Sequence, residues 1–416
     1  MAYTDIAGQC AAAGAAAKTL ASAGADVKNR ALDAVAQALT QDAERVLDAN
    51  RADVEAARKS GMSAAMLDRL TLDPGRIAGI AGGVREIALL PDPVGKSDGT
   101  TKTPDGLMIE RRRVPLGVIC AIYESRPNVT VDIAALCLKS GNSAILRGGK
   151  EAFNSNLALT GVLRSAISGA GLPEDCVSLV TDTSRESVDT LMSMTGRIDL
   201  LIPRGGAGLI NHVVSNSKVP VIQTGVGNCH VYVESSADLN MAANIIFNAK
   251  CSRPSVCNAA ETLLVDRSVA ADFLPLAKAL LDTKNVELRG CPETCSVIPS
   301  AVPARDEDYY TEFLDFILAV KVVGGIDEAI AHIGKYGTAH SDAIVTDNYT
   351  LAQRFLDEVD SAAVYVNAST RFTDGGVFGL GAEIGISTQK LHARGPLGVE
   401  HLTSIKYVIR GSGQIR

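Results

Sequence analysis

Apolar residues near the start of the chain recur at three- and four-residue steps. Between Asp26 and about Lys59 these positions are Val27, Ala31, Leu32, Val35 and Leu39, and polar residues lie between them. A repeat of this period is typical of helices with one buried face. The segment from Pro91 to Gly95 ends the pattern, because proline fixes the backbone and has no amide hydrogen to donate. We therefore predict a helical region that closes near residue 90.

Two other segments alternate apolar and polar residues in the manner of strands. Leu107–Arg113 lies between Gly106 and Pro115, and Leu402–Ile409 lies near the end of the sequence. We expect the first segment to be a strand of a protruding ribbon, and the sequence leaves open whether the second pairs with it. Exposed strand edges invite pairing, so the ribbon predicts self-association as a homodimer or a higher homo-oligomer.

Between residues 117 and 225, short β-branched runs alternate with longer helical segments. The predicted strands are Val118–Tyr123, Ala144–Leu146, Val177–Val180, Ile198–Ile202 and Val219–Gln223, and the predicted helices include Val129–Lys139 and Asn156–Ser168. Strand, crossover and strand in repetition give a parallel sheet with helices on both faces. This is a doubly wound α/β fold, which binds ligands at the carboxyl ends of its strands.

From His230 onward the same alternation begins again. The predicted strands are Val231–Glu234, Glu261–Asp266, Leu318–Val323 and Ala363–Asn367, and a helix is predicted over Asp238–Lys250. The chain of 416 residues is long enough for two hydrophobic cores. We therefore predict a second α/β unit.

Composition narrows the class of protein. With 46% hydrophobic and 21% charged residues, the chain is neither disordered, collagen-like nor a coiled coil. A formal net charge of −7 gives no support for an extended surface that binds nucleic acid or anionic membrane. The alanine-rich segment Ala11–Ala25 lacks the basic flank and the length of a signal or membrane segment. Nine scattered cysteines suit a reducing compartment, so we predict a cytoplasmic protein.

A candidate nucleophile lies between a predicted helix and a predicted strand, in the segment Asn248–Thr262. Pro254 makes this segment a fixed loop, and a thiol at Cys257 on such a loop can face a cleft. Arg253 would favour the thiolate, which is the reactive form of cysteine. The alternative is that Cys257 is a small core residue, because unpaired cysteines are among the most buried residue types.

Four segments, in order along nearly the whole chain, carry a resemblance to a known family. They are Leu90–Gly95, Pro115–Val118 with Tyr123–Val129, Arg253–Asn258 and Ser387–Pro396. The chain resembles the gamma-glutamyl phosphate reductase family, also called glutamate-5-semialdehyde dehydrogenases, within the aldehyde dehydrogenase superfamily. The resemblance implies an aldehyde dehydrogenase-like α/β fold with a doubly wound cofactor domain, an α/β catalytic domain and a small β-ribbon for oligomerisation. It places the NADP-binding domain in residues 1–102 and 117–229, the catalytic domain in 230–385, and the ribbon and C-terminal segment in 103–116 and 386–416.

The resemblance also implies the reaction. Cys257 occupies the position of the family's nucleophile, whose thiolate would attack L-glutamyl 5-phosphate, expel phosphate and leave a thioester that NADPH reduces to L-glutamate 5-semialdehyde. Asn128 and the backbone amide of Cys257 are the candidate donors to the oxyanion. Comparison with the wider superfamily instead aligns Glu124 or Arg126 with the usual asparagine. Asn128, which follows a proline, is equally suited to capping a helix.

One departure from the superfamily favours phosphate chemistry over hydrolysis. Hydrolytic aldehyde dehydrogenases use a glutamate within a Glu-Leu-Gly-Gly pattern to activate water, and the corresponding segment here, Ile222–Gly227, contains Gln223. The amide of Gln223 does not take up a proton near neutral pH, so it cannot act as a general base.

The cofactor that the resemblance implies is NADP(H). The turn after the second strand of the doubly wound region contains Arg147, Gly148, Gly149 and Lys150. Two cations with two glycines suit the 2′-phosphate of the adenosine ribose, which both charge and close backbone approach would stabilise. The alternative is a solvated surface turn with incidental charges.

Two further cofactor contacts are candidates, the first from its place in the fold and the second from the resemblance. The cluster Arg204, Gly205 and Gly206 opens a helix, where a diphosphate or the nicotinamide ribose would meet unpaired amides. The same glycines would also suit a tight strand-to-helix turn without a ligand. Glu312 resembles the superfamily glutamate that orients the nicotinamide ribose.

Recognition of the substrate requires cations for its carboxylate and phosphate and an acceptor for its ammonium group. The motifs offer Arg126 and Arg394 for the anions, Glu383 for the ammonium group and His392 for the phosphate. A solvated or ion-paired role, or simple packing of His392, suits these residues equally well. No metal site is predicted, because the six histidines form no HExxH motif and the cysteines lack zinc-like spacing.

Two other functions remain open at this stage. One is another non-hydrolytic aldehyde dehydrogenase, such as a coenzyme-A-acylating enzyme. The other is a nucleotide-binding scaffold or regulator without catalysis, which an intact Cys257 argues against. Beyond the substrate and phosphate, the expected partners are further copies of the chain and, transiently, glutamate 5-kinase, whose labile product would be kept from water. No contact with nucleic acid or membrane is expected.

Overall fold

The computed structural model describes residues 5–416, which form two compact units. The first comprises the chain up to Thr224 together with Gly379–Gly385 and Pro396–Arg416, and the second comprises Gly225–Phe378 and Ile386–Gly395. These units group residues by contact alone. The assignment of NADP-binding, catalytic and oligomerisation roles to the predicted domains therefore remains a prediction.

The bounds of the regular elements in the described residues are as follows. The α-helices are α1 (Ile6–Ala21), α2 (Ala25–Gln41), α3 (Ala43–Lys59), α4 (Ala64–Leu70), α5 (Pro74–Leu89), α6 (Pro127–Lys139), α7 (Phe153–Gly169), α8 (Arg185–Ser193), α9 (Ala207–Asn216), α10 (Leu239–Cys251), α11 (Ala270–Leu281), α12 (Pro292–Val297), α13 (Asp306–Tyr310), α14 (Ile326–Tyr336) and α15 (Tyr349–Glu358). The strands are β1 (Ser97–Lys102), β2 (Met108–Pro115), β3 (Val118–Tyr123), β4 (Ser143–Gly148), β5 (Val177–Leu179), β6 (Leu200–Arg204), β7 (Cys229–Val233), β8 (Ala260–Asp266), β9 (Glu287–Gly290), β10 (Val302–Pro303), β11 (Ile317–Val323), β12 (Ser341–Val345), β13 (Ala363–Val366), β14 (Ile386–Ser387), β15 (Gly395–Pro396) and β16 (Thr403–Arg410).

The first unit opens on helices whose ends are marked in the sequence. Asp5 caps α1, and Asp73 caps α5 by accepting from the amide of Arg76 at 2.7 Å. Pro74 is the first residue of α5, where its missing amide hydrogen leaves no helical bond unmade. The amphipathic pattern falls on α2 and α3, and α5 ends at Leu89, which confirms a helical region that closes near residue 90.

Strands β1, β2 and β16 form an antiparallel three-stranded ribbon. β16 pairs with β2 along its whole length, from Thr403 opposite Pro115 to Arg410 opposite Met108. The alternating tail therefore pairs with the early ribbon strand, which answers the question that the sequence left open. The ribbon residues belong to the first compact unit.

The first unit contains a parallel sheet with strand order β5-β4-β3-β6. Successive residues of a strand point to opposite faces of the sheet. Cys120 of β3 packs in an apolar cluster with residues of α1, α8 and α9, whereas the hydroxyl of Tyr123 lies 2.7 Å from Oγ1 of Thr130 in α6. Helices therefore cover both faces, which is the predicted doubly wound arrangement.

One predicted strand of this sheet is wrong. Val219–Gln223 contributes a single isolated bridge between Leu201 and Val221 rather than a strand. The amide of Leu201 donates to the carbonyl oxygen of Pro220 at 2.9 Å, and the amide of Ile222 donates back to Leu201 at 3.1 Å. Because proline has no amide hydrogen to give to a ladder, the segment lies beside β6 without extending the sheet.

The second unit contains a larger parallel sheet with strand order β10-β9-β11-β8-β7-β12-β13. Val231 and Val233 of β7 pack with residues of α10 and α11 on one face. Tyr232 lies between them in the sequence and packs against Phe355 of α15 on the other face. The predicted strands of the second α/β unit correspond to β7, β8, β11 and β13, and β9, β10 and β12 are additional.

Candidate active site

Cys257 lies on a loop that joins the end of α10 to the start of β8 in the second unit. Its side chain is half-buried, whereas Cys229 and Cys251 of the same unit are buried. Cys257 is therefore not a core cysteine, and the alternative of a purely packing role does not describe it. A thiol in such a position can meet a ligand while keeping a fixed backbone around it.

The segment that leads into β7 packs directly against Cys257. A Cβ atom on Gly227 would lie 1.4 Å from the carbonyl oxygen of Cys257, so only glycine fits there. The thiol of Cys229 donates to the same carbonyl oxygen at 3.2 Å. Burial raises the pKa of Cys229 well above its usual value, which keeps this thiol protonated as a donor. The backbone of the candidate nucleophile is therefore held on one side by residues of this segment.

The residue after the candidate nucleophile holds the loop on its other side. Nδ2 of Asn258 donates to the carbonyl oxygen of Thr373 at 2.9 Å. In return, Oγ1 of Thr370 donates to the carbonyl oxygen of Asn258 at 2.7 Å. Both contacts come from the segment that follows β13, so two separate parts of the second unit fix the position of Cys257.

Glu312 meets the same backbone segment as Cys257. It lies between α13 and β11, is half-buried, and accepts from the amide of Gly227 at 2.8 Å through Oε1. Since Gly227 also contacts the carbonyl group of Cys257, the structure brings this carboxylate and the candidate nucleophile to one short stretch of main chain. The role of Glu312 toward a nicotinamide ribose remains a prediction.

Arg371 is a candidate functional residue that the sequence reasoning missed. Its guanidinium bonds to Oδ1 of Asn258 and, at 3.0 Å, to Oγ of Ser252. Burial and, to a smaller extent, the charge of Arg253 lower the pKa of Arg371. A signal was present in the sequence, because Arg371 follows the predicted strand Ala363–Asn367, and ligands collect at the carboxyl ends of parallel strands.

In the first unit, Asn128 lies in the first turn of α6. The N-cap of this helix is Arg126, which has extended backbone, and Pro127 is the first helical residue. Nδ2 of Asn128 donates to Oδ2 of Asp132 at 2.9 Å, so the alternative that Asn128 caps the helix is wrong. Burial raises the pKa of Asp132 to about 6, against the hydrogen bond from Asn128 and the charge of Arg204. A donor role of Asn128 toward an oxyanion remains a prediction.

The two cations of the predicted turn lie in different surroundings, because Arg147 belongs to β4 and Lys150 follows it. Nη2 of Arg147 donates to the carbonyl oxygens of Thr183 and Ser184 at 2.6 and 2.7 Å, and the residue is 9% exposed. Burial lowers the pKa of Arg147. Lys150, in contrast, is exposed at the start of a short 3₁₀ helix. Arg147 therefore braces the loop before α8, and Lys150 is the cation of this turn that faces solvent.

Gly148, the last residue of β4, and Gly149 lie close to neighbouring polar side chains. A Cβ atom on Gly148 would lie 2.1 Å from Nδ2 of Asn156, and one on Gly149 would lie 2.2 Å from Oε1 of Glu151. Glu151 also accepts from the amide and the hydroxyl of Ser125 at 2.6 and 2.7 Å. An acidic side chain thus lies beside the glycines and cations that were predicted to hold the 2′-phosphate.

A carboxylate occupies the N-terminus of α9. Gly206 is the N-cap of this helix, and its amide donates to Oε2 of Glu124 at 2.9 Å. A Cβ atom on Gly205 would lie 2.6 Å from the same oxygen. Glu124 therefore stands where the sequence predicted diphosphate or ribose oxygens, as an anion at a helix N-terminus. Arg204 ends β6, and its Nη1 would lie 2.5 Å from a Cβ atom on Gly385.

The four predicted substrate contacts are divided between the two units. Arg126 and Glu383 lie in the first unit and are half-buried, and His392 and Arg394 lie in the second. Nη2 of Arg394 donates to Oδ1 of Asp360 at 2.9 Å, which is the ion-paired arrangement that the sequence allowed. His392 is exposed. The roles of these four residues toward a substrate remain predictions.

Neither a metal centre nor a membrane-crossing helix is found in the described part of the chain. Among residues 5–416, no group of three or more His, Cys, Asp or Glu side chains is arranged to hold a metal ion. In the same residues, no helix combines the length and the apolar character needed to cross a bilayer.

Comparison with known proteins gives similarities over nearly the whole chain. Residues 2–294 match the aldehyde dehydrogenase family. The gamma-glutamyl phosphate reductase of Carboxydothermus hydrogenoformans is 61% identical over 401 residues, which cover 96% of this chain and 97% of that protein. The protein of the same name from Halothermothrix orenii is 59% identical over 401 residues, 96% of each chain. The crystal structure of gamma-glutamyl phosphate reductase from Thermotoga maritima has a TM-score of 0.96 and 48% sequence identity, covering 99% of each chain.

Proposed function

The chain belongs to the gamma-glutamyl phosphate reductase family of the aldehyde dehydrogenases and is therefore an oxidoreductase, and from this premise we propose that it reduces L-glutamyl 5-phosphate to L-glutamate 5-semialdehyde with NADPH and releases phosphate. This reaction is the second step of proline biosynthesis from glutamate. The observation that carries the proposal is the half-buried thiol of Cys257, which lies on a loop held on both sides by hydrogen bonds.

Cys257 is the proposed nucleophile. Its thiolate attacks the acyl carbon of the substrate, a C–S bond forms, and the C–O bond to the phosphoryl group breaks as phosphate leaves with the electron pair. The product of this step is a thioester on Cys257. When bound, NADPH supplies the hydride that such a thioester accepts.

The fixed backbone around Cys257 supports the two addition steps. Each step places negative charge on the former carbonyl oxygen, and donors stabilise it best when they are oriented before it forms. The amide of Cys257 and the side chain of Asn128 are the proposed donors. Gln223, which cannot act as a general base, favours phosphate over water as the acyl acceptor in the reverse direction.

NADP(H) is the proposed cofactor. Lys150 is exposed after β4, at the end of a parallel sheet where dinucleotides bind. Gly205 and Gly206 open α9 after β6, and a cofactor oxygen would replace the Glu124 carboxylate at the Gly206 amide. Lys150 is the proposed ligand of the 2′-phosphate, and Arg147 adds positive charge to the same turn. Glu312 is proposed to orient the nicotinamide ribose through hydrogen bonds to its hydroxyl groups.

The remaining contacts follow from the chemistry of the substrate and from the ribbon. Arg126 and Arg394 are proposed for its anionic groups, Glu383 for its ammonium group and His392 for its phosphate. We further propose self-association through the ribbon, a cytoplasmic location and transient contact with glutamate 5-kinase. The last of these would shorten the exposure of a labile acyl phosphate to water.

The test is an assay of NADP⁺ reduction that depends on both glutamate 5-semialdehyde and phosphate. The unmodified protein should be active and Cys257→Ala inactive, because no other group can carry the acyl intermediate. Cys295→Ala, which removes another half-buried thiol of the second unit, is the matched control and should remain active. Activity that needs coenzyme A instead of phosphate would replace the proposal with an acylating aldehyde dehydrogenase.

A further inference from the structure

Arg371 joins the two ends of the loop that carries Cys257. Its Nε donates to Oγ of Ser252 at 3.0 Å, and its Nη1 donates to Oδ1 of Asn258. Ser252 directly follows α10, and Asn258 directly follows Cys257. The guanidinium therefore spans the loop from its first residue to the neighbour of the nucleophile, within the second compact unit.

The side chains that position Arg371 are neutral. Serine and asparagine accept one hydrogen bond each, whereas a guanidinium has five N–H groups. Other arginines of the same unit, such as Arg267 and Arg394, have carboxylate partners, but within residues 5–416 no carboxylate forms an ion pair with Arg371. The residues that hold this charge in place therefore do not neutralise it.

A second arginine brings a like charge to the same loop. Arg253 follows Ser252 and is exposed, and its charge opposes that of Arg371. The charges of Cys257 and Asp374 act in the opposite direction and favour the protonated guanidinium. The loop thus combines a nucleophile with two positive charges whose mutual repulsion an anionic ligand would relieve.

We propose that Arg371 and Arg253 bind the phosphoryl group of the acyl phosphate and, in the reverse direction, inorganic phosphate; this inference rests on the proposed function. A guanidinium presents paired N–H groups that match two phosphoryl oxygens at once. As the C–S bond forms at Cys257 and the C–O bond breaks, the departing phosphate takes the electron pair and gains negative charge. One cation on the loop of the nucleophile, Arg253, and one hydrogen-bonded to that loop, Arg371, stabilise this charge where it develops.

A purely structural role for Arg371 makes a different prediction. If the guanidinium only fastens the two ends of the loop, then removing it changes the reactivity of Cys257 toward every reagent in the same proportion. A phosphate site instead distinguishes anionic from neutral reagents, because the positive charge attracts only the former. The two roles therefore differ in a ratio of rates rather than in a single rate.

The experiment measures alkylation of Cys257 in the full-length protein by mass spectrometry of the peptide that contains it. Iodoacetate is an anion and iodoacetamide is neutral, so the ratio of their rates reports positive charge near the thiol, while the thiolate fraction cancels. In the unmodified protein, inorganic phosphate should protect Cys257. Arg371→Met should lower the iodoacetate-to-iodoacetamide ratio about tenfold and abolish phosphate protection, and Arg253→Met should lower the ratio about threefold.

Further variants separate the effect of the positive charge from the effect of holding the two ends of the loop together. Arg371→Lys keeps the charge but cannot span both ends of the loop, and it should retain most of the ratio. Ser252→Ala removes one hydrogen bond, leaves both charges in place, and should not change the ratio. Arg267→Met removes an exposed, ion-paired arginine of the same unit and controls for net charge. An unchanged iodoacetate-to-iodoacetamide ratio in Arg371→Met, or an equal fall of that ratio in Ser252→Ala, would overturn the proposal. If Arg371→Met does not fold, an unchanged ratio in Arg253→Met would overturn it.

Steady-state kinetics separate this inference from the proposed function. In semialdehyde oxidation, Arg371→Met should raise KM for phosphate by about ten- to a hundredfold, the effect of losing a hydrogen bond to a charged group, and should change kcat less. An unmodified protein without phosphate-dependent NADP⁺ reduction would refute the proposed function. In that case phosphate protection of Cys257 would still decide whether the two arginines bind the anion.

Discussion

Nζ of Lys250 lies 2.5 Å from Oε2 of Glu261, and neither side chain is exposed to solvent. Lys250 lies in the last turn of α10 and Glu261 near the start of β8, so the ion pair joins the two elements that flank the Cys257 loop. Oε1 of Glu261 also accepts from the amide of Leu314 at 3.1 Å. Burial lowers the pKa of Lys250, and the Glu261 carboxylate opposes this effect. The charged form of Lys250 is therefore stabilised by Glu261.

Glu261→Gln should destabilise the protein by about 3–5 kcal/mol, because it leaves the Lys250 ammonium buried without its counter-ion while keeping an oxygen for the Leu314 amide. The free energy of unfolding in urea, followed by circular dichroism, measures the change. The double variant Lys250→Met/Glu261→Gln removes the buried charge and should recover much of the lost stability. If the double variant loses as much free energy of unfolding as Lys250→Met and Glu261→Gln lose together, this account is wrong.

Gly227→Ala should displace the Cys257 loop, because the new Cβ would lie 1.4 Å from the carbonyl oxygen of Cys257. A misplacement of about 1 Å at a reacting group costs on the order of a hundredfold in rate. We therefore expect a loss of at least that size in kcat/KM for the phosphate-dependent reaction. Gly334→Ala in α14 is the matched control, since a Cβ there meets no atom within 4 Å. Full activity of Gly227→Ala would show that the reaction does not depend on the position of the Cys257 loop.

One face of the ribbon exposes apolar side chains of β16 beside Arg111 of β2, which lies opposite Tyr407, and the other face carries Glu110. On β16, Tyr407 and Ile409 are 62% and 58% exposed, and Ile409 lies opposite Ile109 of β2. The alternate positions carry Glu110, which accepts from Arg410 at 2.8 Å. Hydrogen bonds from Arg112 and then from Arg410 lower the pKa of Glu110 to about 2, so this face stays charged at neutral pH.

Tyr407→Lys/Ile409→Lys should weaken self-association, because it replaces the two exposed apolar side chains of the face that we propose for contact between copies and adds like charges beside Arg111. Sedimentation velocity at several protein concentrations measures the oligomeric state. Lys406→Glu changes a charge on the same strand but on the other face and is the control. If the double substitution leaves the oligomeric state unchanged, this face is not the contact between copies.

The sequence predicted the sheets well because their strands are buried on both faces. Short apolar runs rich in β-branched residues, such as Val118–Tyr123 and Leu318–Val323, are typical of strands covered on both faces, and both lie in strands of the structure. The short strands β9, β10 and β12 were not predicted, and one predicted strand is wrong because of a single residue. Pro220 turns the expected fifth strand of the first sheet into a single bridge, which a pattern of apolar residues does not reveal.

The candidate site was less predictable because its contacts join residues that are far apart in the chain. Arg371 meets Asn258 across 113 residues, and no local pattern encodes that pairing. Glu124 accepts from the amide of Gly206, the N-cap of α9, from 82 residues away, at a position that the sequence assigned to a ligand. The motif around Cys257 indicated this residue as the candidate nucleophile, but it did not indicate the distant side chains that contact the loop.

His332 is a buried histidine that should make the protein sensitive to acid. Its ring packs 4.3 Å from the ring of Tyr336 and 5.1 Å from that of Tyr309, measured between centroids. Burial and, to a smaller extent, the charges of His230, Lys321 and Lys335 lower its pKa from 6.5 to about 2. Below pH 6.5 the unfolded chain therefore binds a proton at His332 and the folded chain does not. The free energy of unfolding must then fall as the pH falls through this range.

His332→Leu should remove this part of the pH dependence. Between pH 7 and pH 5 a histidine that stays neutral in the folded state costs about 2 kcal/mol of stability, so the variant should lose about that much less than the parent over the same interval. Urea unfolding at both pH values measures the difference. His212→Leu, which removes an exposed histidine 2.9 Å from Asp189, is the control and should leave most of the acid sensitivity in place. Equal losses in His332→Leu and in the parent would show that His332 is protonated in the folded protein, because only then does its titration not favour the unfolded chain.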